Sequence, residues 1–409
     1  MPGAGDNRGR LRSRRRCRHV SSPGRAGNHP GGITMRINAH TADLARAAGF
    51  AARHASVRPV LPVLSGLRLS ARGDEVTITG YDYEASSVAT VAAEVEVAGD
   101  VLVPGRVFAE IMRSLPDAEV TVVRKDASVR VESADTEFTL PLLPIEDYPA
   151  VPGTAVSVGT ISGSVLSGAV AAVSRVALRD ESVPLLSGVS VRVADDALRL
   201  LTTDRYRIAL HQLPWSPAGG TAPASAVVPA RLLAEAVKGL AGSGDVSLGL
   251  AETDERRMSL SRGGSASTIR LLDGAYPDVL RGMPTEFAGE VVVDREALAG
   301  AVRRIALVAD QFAAVVLEIG TDAVVVSASS EGEMGGRTRL PALQTNEPAR
   351  VAVNAGYLLD GLAMVTGGYA RLSYQRNVRP ALIEGCADAQ GTEIDGRSRY
   401  YVMPRMLPE

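Results

Sequence analysis

The sequence predicts an α+β protein made of three copies of one domain, each with helices packed on one face of mostly antiparallel sheets. Three observations carry this reading. The stretches "VLVPGRVFAE" (101–110), "AVVPARLLAE" (226–235) and "VAVNAGYLLD" (351–360) share one plan: a β-branched run, a turn that opens a helix, then apolar helical residues. Pro104, Pro229 and Asn354 are thereby spaced 125 residues apart. Further pairs follow in the same order: "PVLSGLRLS" (62–70) with "PLLSGVSVR" (184–192), "GYDYEAS" (80–86) with "TTDRYRI" (202–208), and "LLPIEDYP" (142–149) with "LLDGAYP" (271–277). One match could be chance; an ordered series at nearly one offset marks repeated units. The intervening segments alternate apolar and polar residues, as in "EVTVVRKDASVRVESADTEFTL" (119–140), which reads as strands around the turn KDAS. The copies fall at about 35–153, 154–287 and 288–409.

Each copy holds two stretches with the three-and-four apolar spacing of an amphipathic helix. They are 40–54 and 104–115, then 163–178 and 229–241, then 294–309 and 354–366. Pro104 and Pro229 are expected in the first helical turn, where the missing N–H costs nothing. "GLAGSGDVSLG" (239–249) is glycine-rich but lacks phosphate-loop spacing; it follows a helix and precedes a strand, so it reads as a cap and turn.

Composition sets bounds on function. The chain of 409 residues is 45% hydrophobic and 4% aromatic. No apolar run reaches the roughly 18 residues that span a bilayer. Cys17 and Cys386 are too few for a disulfide framework and too far apart for a metal site, which points to a reducing, cytoplasmic setting. Residues 1–34 carry eight arginines against one acid, so without them the net charge moves from −2 to −9. That basic, Gly- and Pro-rich segment reads as a disordered extension or a misassigned start ahead of Met35; a basic arm touching nucleic acid is the competing reading. His40, His54 and His211 form no ligand pair, and no G-x-S-x-G or Walker-type loop occurs. No catalytic function, cofactor or metal is expected. The ending "YYVMPRMLPE" (400–409) is unusually apolar for a terminus, which is normally polar and frayed. Either it packs into a core or it lines a surface that a partner binds; its residues alone leave both open.

Taken together, "RPVLPVLSGL" (58–67), "GYDYE" (80–84), "LPIEDYP" (143–149), "LLTTDRYRIAL" (200–210), "LLDGAYPDVLRGMP" (271–284), "LLDGL" (358–362) and "YVMPRML" (401–407) give a specific resemblance. Over residues 35–409 the chain resembles the bacterial sliding clamps, the β subunits of DNA polymerase III. The resemblance implies a non-catalytic processivity factor and a head-to-tail homodimer. Two three-domain protomers would close a six-domain ring, with helices lining a lumen around duplex DNA and sheets outside.

A clamp must hold DNA and still slide, so a modest positive lining suits it. The helical stretches offer Arg46, Arg53, Arg106, Arg113, Arg175, Arg231 and Lys238, with Arg179 just beyond a helix end. Copy three adds Arg295, Arg303 and Arg304, but its last helix carries only Asp360. Arg58, in the loop after the first helix, stands where the family places an arginine that reaches DNA. With no aromatic stripe and no recognition helix, DNA binding without sequence specificity is expected.

The resemblance also implies a groove between copies two and three that takes short peptides from the replicative polymerase, the clamp loader and other clamp-binding proteins. It assigns to that groove Leu186, Thr203, Arg205, Tyr206, Arg207 and Ile208; Pro277, Arg281 and Gly282; and Val378, Pro380, Tyr401, Met403, Pro404, Arg405 and Met406. Phe138 and Leu140 are expected across the dimer interface from Leu307 and Val308. Four departures stand out. Arg405 and Met406 reverse the family's usual Met-Arg order, Gly282 replaces a β-branched residue, the tail continues through Pro408 and Glu409, and Glu137 stands at an often basic position. They raise an alternative: a specialised clamp copy with an altered groove, for example one tolerant of a groove-binding inhibitor. A scaffold that does not encircle DNA is the other.

Overall fold

The computed structural model describes residues 33–56, 59–180, 182–194, 197–219, 223–251, 256–309, 314–329, 334–344, 348–376 and 379–406. The basic segment up to residue 32, Arg58, Val378 and the last three residues lie outside the described residues.

All six helical expectations are met, with shorter ends: α1 (Thr41–Ala51), α2 (Gly105–Ser114), α3 (Gly163–Ser174), α4 (Ala230–Leu240), α5 (Arg295–Ile305) and α6 (Ala355–Met364). Each turns one apolar stripe inward. On α1 this is Leu44, Ala47, Ala48 and Ala51, while Asp43 and Arg46 face water. The prolines sit one position earlier than expected. Pro104 and Pro229 are the last residues of strands Gly99–Pro104 and Ala224–Pro229 and serve as N-caps. Both strands lie at a sheet edge, so the missing N–H breaks no ladder bond. At the matching position of copy three the Asn354 side chain accepts from the Tyr357 N–H at 3.1 Å, the usual N-cap bond. The stretch at 239–249 is a cap and turn: α4 stops at Leu240, and Gly242 and Gly244 take positive φ (136° and 107°) before the strand Asp245–Ala251.

The first strand, Ile33–His40, starts two residues ahead of Met35, whose side chain is fully buried. All strand pairings among the described residues are antiparallel, including Glu119–Lys125 with Ser128–Ser133 around the KDAS turn. The strands make a five-stranded, a nine-stranded and a twelve-stranded sheet. The two larger sheets cross from copy to copy. Ser265–Arg270 of copy two pairs with Ala85–Ala92 of copy one, and Ile394–Val402 of copy three pairs with Arg207–Leu213 of copy two. Ser87 and Ser267 hydroxyls meet at 2.8 Å, buried in the first joint; Ser398 Oγ meets His211 Nδ1 at 2.8 Å in the second.

The helices follow the same joints. Contacts run α2 to α1, the turn after α1 to α4, α4 to α3, α3 to α6 and α6 to α5. The chain is therefore one row of three domains, with a continuous helical layer on one side whose two ends are α2 and α5.

Each joint encloses a histidine whose pKa lies below the ordinary value. His54, 2% exposed at the end of α1, is lowered chiefly by burial; Asp82 and Glu235 oppose the shift, and Arg231 and Arg53 add to it. Burial also lowers His211, against the Arg397 backbone and Asp395. The unfolded chain protonates these rings near pH 6.5 and the folded chain only below it, so stability falls as pH drops through that range. Thermal unfolding at pH 7.5 and 5.5 should show this loss, and the double variant His54→Gln/His211→Gln should show a smaller one.

Candidate functional site

The outward face of the helical row carries most of the cations the sequence singles out. Arg46, Arg106, Arg113, Arg175, Arg179, Arg231 and Lys238 are all exposed, as are Arg303 and Arg304. Arg46 pairs with Asp43 at 2.8 Å, and Arg53 reaches across the first joint to Glu235 at 3.4 Å. Exposed pairs of this kind contribute roughly 0–1 kcal/mol, so a phosphate can compete for the arginine. Arg46, Arg53 and Arg113 converge with Arg262 around a cavity of about 430 Å³ between α1 and the end of α4. Arg262 also donates to the carbonyls of Ala241 and Ser243 (3.1 and 3.3 Å), capping α4. Two residues behave differently from the expectation. Arg295 folds onto the end of α6, donating to Leu362 O (3.3 Å) and Val365 O (3.4 Å), because those carbonyls have no partner within the helix. Asp360, which broke the charge pattern, belongs to the second joint.

That joint is organised by Arg207. Its Nε donates to Asp204 Oδ2 (2.9 Å), Nη1 to Asp360 Oδ2 (2.5 Å) and Tyr400 Oη (3.3 Å), and Nη2 to Arg175 O (2.9 Å). The guanidinium lies 4.2 Å from the centroid of the Tyr357 ring, a cation–π contact. These partners raise its pKa against the opposing effect of burial, and burial raises that of Tyr400. The turn that presents Arg207 is built by Asp204, whose Oδ1 accepts from the N–H groups of Tyr206 and Arg207 at 3.0 and 3.1 Å. Arg205 at its tip takes φ of 81°, a left-handed conformation that this bonding holds in place. Tyr206 is left 61% exposed, stacked on Tyr357 with ring centroids 6.4 Å apart.

The tail divides in two. Tyr400, Tyr401 and Val402 end an inner strand and are buried; Met403 and Met406 are 37% and 82% exposed. The exposed part is pinned by its backbone: Met403 N donates to Tyr206 O (2.8 Å) and Arg405 N to Ala352 O (2.7 Å). Beside it, Ile208, Tyr401 and Leu382 form a small apolar cluster, partly covered by Val279, Leu280, Met283 and Phe287 of the link between copies. Cavities of about 630 Å³, lined by Pro277 and Leu280 among others, and about 750 Å³, lined by Arg281, Gly282 and Pro380, open next to these link residues.

Of the expected groove residues, Arg205, Tyr206, Pro277, Arg281, Gly282, Met403, Arg405 and Met406 are exposed, and Leu186, Pro380 and Pro404 are half-buried. Thr203, Arg207, Ile208 and Tyr401 are buried, so they support the surface from behind. Thr203, for example, donates its hydroxyl to Arg207 O at 2.7 Å and its N–H to Tyr276 Oη at 2.9 Å. Asp204, Tyr357, Tyr400 and the link residues Val279, Leu280, Met283 and Phe287 escaped the sequence reading. The only signal for Asp360 was its place in the 125-residue repeat.

Of the expected interface residues, Leu307 is 85% exposed and Val308 is half-buried against the start of the strand Gly335–Gln344 at Gly336. Leu140 lies deeper. It is 5% exposed and belongs to the first domain's own core, because alternation along its strand points it inward; Phe138 is half-buried against the same core.

Residues 35–152, 160–278 and 281–395 match, in order, the N-terminal, central and C-terminal domains of the DNA polymerase III beta subunit. The chain belongs to this family. It is 35% identical over 375 residues to the beta sliding clamp of Streptomyces coelicolor, covering 91% of this chain and 100% of that one. It is 34% identical over 371 residues to the beta sliding clamp homolog GriR of Streptomyces muensis, covering 90% and 99%. The crystal structure of the Bacillus subtilis DNA polymerase sliding clamp has the same fold: TM-score 0.84 at 23% identity, over 92% of this chain and 100% of that one.

Removing the guanidinium of Arg207 would leave Asp204 and Asp360 facing each other without a cation. Breaking a buried pair in this way costs about 3–5 kcal/mol. Arg207→Met should therefore lower the free energy of chemical unfolding by about 3 kcal/mol, and Asp360→Ala by less, since Asp204 still serves the arginine. Urea titration of the three proteins tests the order.

Proposed function

We propose that the chain is a DNA sliding clamp that encircles duplex DNA as a head-to-tail homodimer and tethers the replicative polymerase and other replication and repair proteins. The observation that carries the ring is the repeated joint. Twice within the chain, the last strand of one copy pairs with the edge strand of the preceding copy's sheet. One pair of equivalent edges is left over. Thr136–Pro141 is the outermost strand of the five-stranded sheet. Residues 335–341 are paired on one side only, with 323–329, among the described residues. Unpaired edges invite partners, and joining these two on a second copy repeats the same operation until it closes. Leu307, Val308 and Phe138 then gain cover at the joint.

The cation-bearing helical layer faces the enclosed space in such a ring, which supports the assignment of Arg46, Arg53, Arg106, Arg113, Arg175, Arg179, Arg231 and Lys238 to a loose, non-specific DNA contact; Arg58 joins them on the family resemblance alone. The exposed tail, Tyr206 and the link residues supply an apolar, methionine-bearing surface suited to short peptides. Family membership supports a non-catalytic role as processivity subunit. No helix among the described residues is long and apolar enough to cross a membrane, and we assign the protein to the cytoplasm with its replication partners. The comparisons do not favour the specialised-copy or scaffold readings over this one.

Loading onto nicked circular DNA tests the ring: the protein should stay bound to the circle and leave when the DNA is linearised. Equal loss from both forms would overturn it. Arg106→Ala/Arg179→Ala should shorten retention at low salt, and the difference should shrink as salt rises.

The groove has its own test. Deleting residues 403–409 removes the exposed tail and spares the strand Ile394–Val402, so the dimer and melting temperature should persist while a polymerase-derived clamp-binding peptide no longer binds. Exchanging Arg405 and Met406 should strengthen that peptide's binding by about 1 kcal/mol, one modest apolar contact, as read by calorimetry.

A further inference from the structure

The repeat places an acid on the sixth residue of the second helix in every copy: Glu110 on α2, Glu235 on α4 and Asp360 on α6. Two of the three work at the joint with the preceding copy. Glu235 takes Arg53 at 3.4 Å, and Asp360 takes Arg207 at 2.5 Å. Glu110 is exposed and makes no hydrogen bond or ion pair among the described residues. Its helix is one end of the row, so the chain contains no preceding copy to serve it.

The other end of the row is α5. Counting from the first residue of each helix, Arg304 and Leu307 stand where Phe50 and Arg53 stand in copy one. In the first joint those two residues face α4. A Cβ on Gly239 would come within 2.7 Å of the Phe50 ring, and Arg53 pairs with Glu235. Glu235 and Gly239 lie one turn apart on one helix face, as Glu110 and Ser114 do on α2. At the open end the two characters are exchanged. The cation is Arg304 and the apolar group is Leu307, a displacement of three residues or about 4.5 Å along the axis, within the reach of an arginine side chain. Arg304 is exposed and without an ion pair among the described residues.

We propose that Arg304 of one copy pairs with Glu110 of a second copy and sets the register of the joint between subunits, with Leu307 packed beside the pair. The inference rests on the head-to-tail dimer proposed above. It assigns the third acid the duty that the other two perform within the chain, with its cation moved one turn along the facing helix.

Charge reversal tests it, because the two ends lie on the same chain. In Glu110→Arg, both joints of a homodimer oppose two cations, and in Arg304→Glu they oppose two anions. Each variant should dimerise at least about tenfold more weakly than the wild type in sedimentation equilibrium, since like charges across an interface oppose association. An equimolar mixture should recover: in the mixed dimer one joint is the native pair and the other its reversal. The double variant should recover for the same reason, which also separates a broken pair from a misfolded protein. Single variants that dimerise like the wild type, or a mixture and double variant that stay weak, would overturn the pair while leaving the dimer standing. A wild type that is monomeric at micromolar concentration would overturn the dimer reading and the pair with it.

Discussion

Backbone pairing across domain boundaries is the constraint on which the rest of this molecule depends. A strand edge exposes a row of N–H and C=O groups that must find partners in protein or water. Here the last strand of copies two and three satisfies that need on the copy before it, so neighbouring domains share a sheet as well as a contact surface. The orientation of each domain relative to the next is thereby set by ladder register, with a buried Ser87–Ser267 contact and a part-buried His211–Ser398 contact inside the joints. The helical row inherits its continuity from this. Because α1 packs on the strands of its own sheet, fixing the sheet fixes where the end of α1 meets α4.

The second joint carries a polar network centred on Arg207, directly under the surface proposed above to take partner peptides. Arg207 gathers two carboxylates, a tyrosine hydroxyl, a helix-end carbonyl and an aromatic face. A guanidinium suits the task because its five donors lie in a fixed plane and its face can stack. The consequence for function is mechanical. Tyr206 rests on Tyr357, and Met403 is bonded to the Tyr206 carbonyl, so the tail and the turn from copy two are held as one surface. A partner peptide that presses on this surface meets a preorganised floor, which limits the ordering cost of binding.

The charge distribution follows the same division of labour. The body excluding the first 34 residues carries −9, yet the outward face of the helices is studded with arginines. Several are lightly engaged with nearby acids, as Arg46 is with Asp43 and Arg53 with Glu235. In the proposed ring, weak, exchangeable pairs would keep the lining positive without creating fixed phosphate sites, and fixed sites would impede sliding. The third-copy helices contribute less, since Arg295 caps α6 and Asp360 serves the joint.

The sequence by itself determined the three-fold repeat, the six helices, the turns at KDAS and at 239–249, and the cation-bearing helix faces. These follow from local periodicity and from offsets between copies, both of which are properties of the linear chain. It also flagged the apolar ending, and it left open whether that ending was core or surface. Tertiary structure alone decided that Tyr400, Tyr401 and Val402 are core while Met403 and Met406 are surface. The division depends on where the strand from copy two stops pairing with the tail, a register no local signal encodes. For the same reason Arg207 and Thr203 looked like surface groove residues but lie behind it, and Leu140 packs into its own domain's core. Burial of a polar or apolar side chain is settled by what a distant segment brings against it, and Asp360, 153 residues from Arg207 along the chain, meets it only in the folded joint.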